Sequence, residues 1–231
     1  MRLHKFFVKA DLGEKSIFLE NAELVNQIKN VLRLKVGDEI ILSDGRLTEA
    51  VAKITSIKDQ NLSAFILDTR INTNEPKNHT ILYLSILKRE NFEIAVQKAT
   101  EVGIKEIVPI VSKRTVKFGL KTERLEKIIR EAAEQSNRGV IPRLHESIEL
   151  EKAIVGAKEN NLNIFFHPAG GPIPNTKDRN QIGIFIGPEG GWDESEVMLA
   201  KNYNFVLAKM SPLSFRAETA ALVASYIVNQ N

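Results

Sequence analysis

Two hydrophobic patterns follow one another along the chain. Up to about residue 70, short runs of β-branched and aromatic residues alternate with turn residues. The runs are HKFFV, SIFL, EIILSD, TEAVAKITSI and LSAFILDT. Such runs, separated by turns such as Val36-Gly37-Asp38, are typical of β-strands. One helical stretch, residues 23–32, interrupts them. The first part of the chain is therefore predicted to be a small β-barrel with one helix.

The polar segment RINTNEPKNH (residues 70–79) lacks hydrophobic periodicity and is interpreted as a linker, with domains at 1–72 and 73–231. Beyond it, apolar strand patterns alternate with helical patterns. The strand patterns are TILYLSIL, IKEIVPIV, LNIFFH, QIGIFIG and YNFVLA, and the helical ones lie at 90–102, 122–135, 149–158 and 216–228. Continuous apolar strands alternating with helices predict a parallel α/β sheet.

The last predicted helix carries a stripe of small residues, which are Ala217, Ala220, Ala221 and Ala224. A small-residue stripe permits another backbone to approach closely. The stripe is consistent with a helix in the core of the domain or at a subunit interface, and the two are not exclusive.

Composition narrows the class of protein. The chain has 231 residues, 43% hydrophobic and 26% charged, which is ordinary for a globular protein. No apolar run reaches the roughly 18 residues of a membrane span, and the N-terminus lacks the features of a signal peptide. Without cysteine there is no thiolate chemistry, and the four histidines lack metal-ligand spacing. We expect a cytoplasmic protein without a metal.

The net charge of +3 is modest, but residues 111–143 concentrate Lys and Arg. Such a surplus is typical of a surface that contacts phosphates, and equally of a solvated helix face with i,i+4 ion pairs.

Three loops rich in Gly and Pro follow three predicted strands: HPAGG (167–171), GPEGG (187–191) and KMSPLSFR (209–216). Dinucleotide, P-loop and nucleophile-elbow motifs are absent from the sequence. Ligands of open α/β sheets bind at the carboxyl ends of strands, so we expect the loops to form one site. Glu189 makes the middle loop unsuited to phosphate and favours a cationic or neutral ligand. Asp193 and Glu196 match a capping box and are expected to be structural.

Five segments together resemble one family. They are NVLRLKVGDEI (30–40), QKATEVGIKEIVPI (97–110), EAAEQSNRGVIPRL (131–144), GPEGGW (187–192) and FRAETA (215–220). In this order they resemble the RsmE family of ribosomal RNA methyltransferases, within the SPOUT superfamily. The resemblance implies an N-terminal PUA-like barrel that binds RNA and a C-terminal α/β domain with a trefoil knot. It also implies a homodimer that binds S-adenosylmethionine and methylates N3 of a uridine in small-subunit rRNA, in an assembled or assembling 30S subunit.

The resemblance also implies roles for residues of this chain. The cofactor-binding residues are Phe166, His167, Pro168, Ile186, Gly187, Pro188, Gly190, Gly191, Leu207, Met210, Ser211, Leu213 and Phe215. The RNA-binding residues are Arg33, Lys88, Arg89, Arg114, Gln135 and Arg138. We expect Arg216 to stabilise developing negative charge, with Arg138 as second choice and Glu218 orienting Arg216. The proton acceptor is either Glu189 or bulk water.

The chain departs from the family pattern near the site. Ser211 and Leu213 stand where the family usually has Gly and Arg, and Asn26 and Gln27 stand where it often has His. The sequence is also compatible with two other functions. One is a SPOUT enzyme acting on another RNA atom, such as a ribose 2′-oxygen. The other is a non-catalytic RNA-binding protein of the same fold.

Overall fold

A computed structural model gives the positions of residues 3–115 and 119–230. Chain contacts divide the protein into two units. The first comprises Met1–Glu75 and Ala133–Ile141, and the second Pro76–Ala132 and Pro142–Asn231. Within the described ranges, every helix is too short or too polar to cross a membrane.

The first unit is built on a five-stranded sheet in the order β1-β3-β4-β5-β2. Its strands are β1 (Lys5–Phe7), β2 (Ser16–Glu20), β3 (Glu39–Ser43), β4 (Thr48–Lys58) and β5 (Asn61–Ile71). Two register shifts between β4 and β5 bend the sheet, because an unpaired extra residue increases the local twist. The predicted PUA-like barrel is confirmed as a curled sheet of this kind.

One helical segment packs into the curled sheet. Helix α1 (Ala22–Asn26) begins where the Asn21 side chain accepts the Leu24 N–H, and it continues as a π-helix (Gln27–Val31). The side chains of Ile28, Ile40 and Leu42 are fully buried in the hydrophobic core of this unit. Inward-facing apolar residues of the strands therefore close around one helix, as the sequence pattern predicts.

The buried carboxylate of Glu49 on β4 connects the first strand of the unit to the last one and to the residue that follows it. Glu49 accepts hydrogen bonds from Lys5 Nζ (2.8 Å), Arg70 Nε (2.8 Å) and Asn72 Nδ2 (3.1 Å). The Lys5 and Glu49 side chains are 1% and 6% exposed. Burial alone raises the pKa of Glu49, but the hydrogen bonds from Lys5, Asn72 and Arg70 outweigh it and lower that pKa below its ordinary value.

The polar segment after β5 is packed within the first unit. Glu75 accepts hydrogen bonds from Arg138 Nη2 (2.8 Å) and from the Gly139 N–H (3.0 Å). The Arg138 carbonyl in turn accepts from Lys5 Nζ at 2.6 Å. Residues 72–75 are therefore fixed by long-range contacts within the first unit, and the boundary between Glu75 and Pro76 lies inside the segment interpreted as a linker.

The second unit contains a parallel sheet in the order β12-β10-β11-β6-β7-β8, with β9 also paired to β7. Its strands are β6 (His79–Ser85), β7 (Glu106–Val111), β8 (Arg143–Leu144), β9 (Ile148–Glu149), β10 (Leu162–Gly171), β11 (Gln181–Ile186) and β12 (Val206–Ala208). The helices are α2 (Arg89–Glu101), α3 (Thr122–Gln135, whose residues 133–135 belong to the first unit), α4 (Leu150–Gly156), a 3₁₀ turn (Ala157–Glu159), α5 (Glu194–Asn202) and α6 (Ala217–Gln230). The α/β class with a parallel sheet is confirmed, and the trefoil knot stays a prediction.

Aromatic rings hold the central strands together. Tyr83 and Phe185, paired on β6 and β11, stack at 4.2 Å, and Phe205 packs 5.0 Å from Phe185. Helix α6 packs against α2, β6 and β11. Its four stripe alanines are buried in the second unit itself, while Tyr226 on the same helix is 53% exposed. The stripe is therefore part of the core of this domain.

The buried Lys5–Glu49 pair generates a stability prediction. Replacing Lys5 by Met removes the buried cation of Glu49 and leaves only the half-exposed Arg70 as an ionic partner, and we expect the free energy of unfolding to fall by about 3 kcal/mol. Arg70→Ala is the matched control, because Arg70 contacts the same carboxylate from a side chain that is 53% exposed. That change is expected to cost less than about 1 kcal/mol. Urea unfolding measures both.

The same cluster predicts a pH dependence. Because the pKa of Glu49 is lowered on folding, its contribution is complete above its ordinary value of 4.5 and is lost as the pH falls. Glu49→Gln is expected to remove this contribution to the loss of unfolding free energy at low pH. Equal stability of Lys5→Met and wild type would contradict the role of the pair.

Candidate functional site

A cavity of about 890 Å³ lies in the second unit, at the carboxyl ends of its strands. The segments that follow β6, β7, β11 and β12 contribute to its wall, together with the bulged end of β10, which contains the HPAGG residues predicted as a loop. The three Gly/Pro-rich loops singled out in the sequence are among them. The structure thus brings the three loops to one place, as expected for an open α/β sheet.

Most of the predicted site residues of the second unit line this cavity. Those in the wall are Phe166, His167, Pro168, Ile186, Gly187, Pro188, Gly191, Met210, Ser211, Leu213 and Phe215, with the charged Lys88, Arg114, Glu189, Arg216 and Glu218. Gly190, Leu207 and Arg89 belong to the same unit but are not in the wall. Arg33, Gln135 and Arg138 belong to the first unit.

Trp192 fixes the glycine-rich loop. Its indole Nε1 donates a hydrogen bond to the Phe166 carbonyl at 3.0 Å, and its ring lies 4.3 Å from that of Phe165. A Cβ on Gly187 would lie only 2.9 Å from the Trp192 ring. Gly187 is therefore required by the close approach of the indole, which ties the ends of β10 and β11 together.

The turn after Pro188 needs a second glycine. Gly191 has φ = +68°, and its N–H donates to the Pro188 carbonyl at 2.9 Å. This left-handed conformation is unfavourable for residues with a side chain. The two glycines thus serve different purposes, one for space and one for backbone direction.

Asp193 and Glu196 form the predicted capping box at the start of α5. The Asp193 N–H donates to Glu196 Oε2 at 2.8 Å, and the Ser195 N–H donates to Asp193 Oδ1 at 3.2 Å. Hydrogen bonds from Ser195 first, and then the nearby Lys113, lower the pKa of Asp193 to about 2. The prediction that these two acids are structural is confirmed.

The segment after β7 clamps the same loop. Lys113 Nζ donates to Ser195 Oγ at 2.6 Å, and its N–H donates to Glu196 Oε1 at 2.7 Å. Arg114 Nη1 donates to the Gly190 carbonyl at 3.1 Å. Lys113 and Arg114 belong to the basic segment 111–143, which was considered for phosphate contacts. Because both side chains bind the loop, their charges stabilise the wall of the site.

Four charged side chains of the wall, Lys88, Lys209, Arg216 and Glu218, make no hydrogen bond or ion pair among the described residues. Glu218 has a buried carboxylate oxygen, Oε2, that accepts no hydrogen bond within residues 3–115 and 119–230. The exposed Arg216 guanidinium makes no hydrogen bond or ion pair in the same ranges. The two side chains do not pair with each other, contrary to the expectation that Glu218 orients Arg216. Among the described residues, Glu189 accepts only long contacts, from the Lys88 N–H (3.4 Å) and Asn91 Nδ2 (3.5 Å).

Arg138 has a different environment from the one expected. Its side chain is 5% exposed and is paired with Glu75 in the first unit. The arginine is thus committed to an internal ion pair, and the catalytic and RNA-binding roles expected for it are not carried forward. Sequence alone did not indicate this, because the partner lies 63 residues away.

The last loop accommodates the departures from the family pattern. Ser211 Oγ accepts the Leu213 N–H at 3.0 Å, which closes a local turn where the family usually has glycine. The Leu213 side chain is 74% exposed at the cavity. Asn91 and Trp192 were missed as wall residues. The one tryptophan of the chain, directly after two glycines, was the available signal.

Comparison with known proteins identifies the family. Residues 73–229 match the family described as RNA methyltransferase domain, and residues 21–67 match RNA methyltransferase PUA domain. Ribosomal RNA small subunit methyltransferase E of Rickettsia conorii is 30% identical over 97% of this chain and 94% of its own. The protein of the same name from Mesomycoplasma hyopneumoniae is 31% identical over 95% of this chain and 96% of its own. The chain belongs to the ribosomal RNA small subunit methyltransferase E family.

Solved structures agree with the family assignment. A methyltransferase from Legionella pneumophila, determined with bound SAM, superposes with a TM-score of 0.91 at 25% identity, covering 100% of this chain and 98% of its own. Ribosomal RNA small subunit methyltransferase E from Neisseria gonorrhoeae, bound to S-adenosyl methionine, gives a TM-score of 0.89 at 26% identity, covering 99% and 98%. The RsmE-like segments of the sequence thus belong to an RNA methyltransferase of this family, as the resemblance implied.

The contact between Trp192 and Gly187 predicts the effect of one methyl group. Gly187→Ala places a Cβ inside the contact distance of the indole, so Trp192 has to move and its bond to Phe166 is strained or lost. We expect the free energy of unfolding to fall by about 1–3 kcal/mol. Emission from the single tryptophan is expected to shift to the red as the indole becomes exposed.

Gly156→Ala is the matched control. Gly156 ends α4, and a Cβ there meets no atom within 4 Å. Alanine at this position is expected to raise stability by roughly 0.5–1 kcal/mol and to leave the emission unchanged. Unaltered emission and stability in Gly187→Ala would show that the indole does not need this space.

Proposed function

We propose that this protein methylates N3 of a uridine in small-subunit rRNA with S-adenosylmethionine as methyl donor. The observation that carries the proposal is the cavity whose wall combines a glycine loop, held by Trp192, with the uncommitted Arg216. Its relatives are named for small-subunit rRNA, and two similar structures bind this cofactor. We place the protein in the cytoplasm, where a ribosomal substrate is available.

The wall suits a nucleoside with a cationic group. A volume of about 890 Å³ is in the range of pockets for small molecules and cofactors. The glycines of the loop 187–191 leave its backbone accessible, and Met210, Leu213 and Phe215 offer apolar contacts. The exposed Glu189 carboxylate in the wall suits a ligand that carries hydrogen-bond donors or positive charge. When bound, the cofactor supplies an electrophilic methyl group on its sulfonium.

Methylation of uracil N3 requires loss of the N3 proton. As the proton leaves, negative charge spreads to the ring oxygens O2 and O4. Arg216 carries a positive charge and paired N–H donors. A donor fixed beside these oxygens stabilises the transition state more than the neutral base. We assign this role to Arg216.

The proton acceptor is proposed to be Glu189, with bulk water as the alternative. In the part of the chain that the structure describes, its carboxylate receives only two contacts, at 3.4 and 3.5 Å, and retains accepting capacity toward the cavity. Glu218 is a weaker choice, because one of its oxygens is enclosed by protein.

RNA is proposed to contact the first unit and the rim of the cavity. Arg33 follows the π-helix with an exposed side chain and φ = +56°, a conformation that is costly for arginine. At the rim, Lys88 precedes α2, and Arg89 shares the Glu93 carboxylate with Arg124. We propose that 1–72 supplies RNA affinity and 73–231 binds the cofactor, on assembled or assembling 30S subunits.

We also propose that the protein is a homodimer. The alanine stripe of α6 is occupied within the chain, so it does not supply the contact. Tyr226 on the same helix is 53% exposed and offers an apolar surface for a second copy. The proposal follows the family resemblance and is supported by this exposed ring.

Arg216→Ala tests the proposed chemistry. Loss of the donor that contacts the developing charge is expected to slow single-turnover methylation about a hundred- to thousandfold. Arg216→Lys retains the charge without the paired donors and is expected to recover little. The measurement uses small-subunit rRNA and 30S subunits, with mass spectrometry of the nucleosides to locate the methyl group.

Cofactor titration accompanies the kinetics, and Leu213→Ala, at an expected cofactor contact of the same loop, is the comparison variant that is expected to lose cofactor affinity. Cofactor affinity is expected to change little in Arg216→Ala. Normal turnover would reject the proposed role, and lost cofactor binding would move Arg216 to cofactor recognition. Methylation of a ribose oxygen by the wild type would refute the N3 assignment.

Arg33→Gly separates RNA binding from stability. Glycine adopts φ = +56° without a steric penalty, so stability is expected to stay equal or to rise by up to about 1 kcal/mol. RNA affinity is expected to fall, and the slope of log affinity against log salt to shrink by about 1, because one phosphate contact is lost. Nitrocellulose filter binding at several salt concentrations measures both quantities.

Asp59→Gly is the matched control for Arg33→Gly. Asp59 also has a positive φ, +46°, in the exposed turn between β4 and β5, but it carries negative charge. The Asp59→Gly variant is expected to gain stability without loss of RNA affinity. Equal RNA affinity and salt slope in Arg33→Gly and wild type would remove Arg33 from the interface.

A further inference from the structure

The loop after Phe166 leaves the sheet and returns to it at the same place. Phe166 and Gly171 of β10 both pair with Ala208 of β12, so residues 167–170 form a bulge. Gly170 lies so close to β12 that a Cβ would be 2.5 Å from the Ala208 backbone. The Lys209 N–H donates to the Gly171 carbonyl at 2.7 Å. The bulge is thus anchored at both ends, and His167 begins it.

The ring of His167 has one nitrogen committed to the loop. Its Nδ1 accepts the Ala169 N–H at 3.1 Å, so this nitrogen carries no proton. The proton of the neutral imidazole is then on Nε2, which becomes a hydrogen-bond donor. The ring belongs to the wall of the cavity.

We propose that His167 is held as the Nε2–H tautomer by the Ala169 N–H and acts as an uncharged donor to an acceptor atom of S-adenosylmethionine. The proposal rests on the proposed function, because it assumes that this cofactor occupies the cavity. It assigns to the loop a specific task, which is to select one of the two neutral forms of the imidazole.

An uncharged donor suits this wall better than another cation. The wall already contains Lys88, Arg114, Lys209 and Arg216, and the cofactor carries positive charge on its sulfonium and amino group. A cationic imidazole would repel them at short range. Partial burial, and secondarily Lys201, lower the pKa of His167, which favours the neutral ring at physiological pH.

Two substitutions distinguish the two nitrogens. Gln offers an amide donor close to the position of Nε2, and Asn offers an acceptor close to Nδ1 for the Ala169 N–H. If the donor matters, His167→Asn is expected to weaken cofactor binding roughly tenfold and His167→Gln clearly less. The KM for the cofactor is expected to rise more than kcat falls. If His167 serves only to accept the Ala169 N–H and hold the loop, His167→Gln is expected to weaken cofactor binding more than His167→Asn, which would overturn the proposal.

Calorimetric titration of the full-length protein with S-adenosylmethionine measures these affinities. His4→Asn, an exposed histidine of the first unit, is the control and is expected to match the wild type. Absence of binding to the wild type would overturn this proposal and the proposed function together. Equal binding by the wild type, His167→Asn and His167→Gln would overturn only the role of His167.

The tautomer is observable without cofactor. In protein labelled with ¹⁵N-histidine, the NMR spectrum is expected to show an unprotonated Nδ1 and a protonated Nε2 for His167, assigned by its loss in His167→Gln. A protonated Nδ1 or an even mixture would overturn the proposal.

The pH dependence supplies a further test. The charged groups around the ring are Lys201 and, in the wall, Lys88, Arg114, Glu189, Lys209, Arg216 and Glu218. Protonation of Nδ1 places its N–H opposite the Ala169 N–H, so the hydrogen bond between them is lost. Cofactor affinity is therefore expected to fall as the pH drops through the lowered pKa of His167. In His167→Gln this fall is expected to disappear. Its persistence in that variant would contradict the assignment to His167.

Discussion

The site depends on one close contact, the approach of the Trp192 indole to the backbone of Gly187. A side chain on Gly187 would occupy the space of the ring, at 2.9 Å from its nearest atom. The indole in return donates to the carbonyl of Phe166, the residue before His167. This arrangement joins the ends of β10 and β11 and sets the direction of both loops. The remaining wall is built around that junction.

Electrostatic roles at the site are divided between fixed and available groups. Asp193, Glu196 and Lys113 bind one another and the start of α5, so their charges maintain the loop. Arg216 and the inner oxygen of Glu218 lack such partners in the described ranges. A wall in which some charges are internally neutralised and a few are left available is well suited to a ligand of mixed polarity.

The sequence predicted the α/β class, the main strands and the convergence of three loops, because each has a local signature. Apolar runs mark the parallel strands, and Gly and Pro mark the loops at their ends. Capping of α5 was also predictable, since Asp193 and Glu196 are three residues apart. Features set by distant partners were not. Arg138 resembles a surface cation in the sequence, and only the fold shows that Glu75 neutralises it. For the same reason, the contacts that Asn72 and Glu75 make with residues 137–139 were not visible in the sequence. Likewise, the alanine stripe of α6 does not reveal which surface covers it.

The central claim is that the cavity beside Trp192 holds the methyl donor within reach of Arg216. A crystal structure of the protein with S-adenosylmethionine tests it most directly. The account predicts the cofactor against the backbone of residues 186–191, with an acceptor atom within hydrogen-bond distance of His167 Nε2. It also predicts that the Arg216 guanidinium stays outside the cofactor contacts, facing the space left for a base. A cofactor bound elsewhere in the protein, or one whose contacts exclude the loop 187–191, would contradict it.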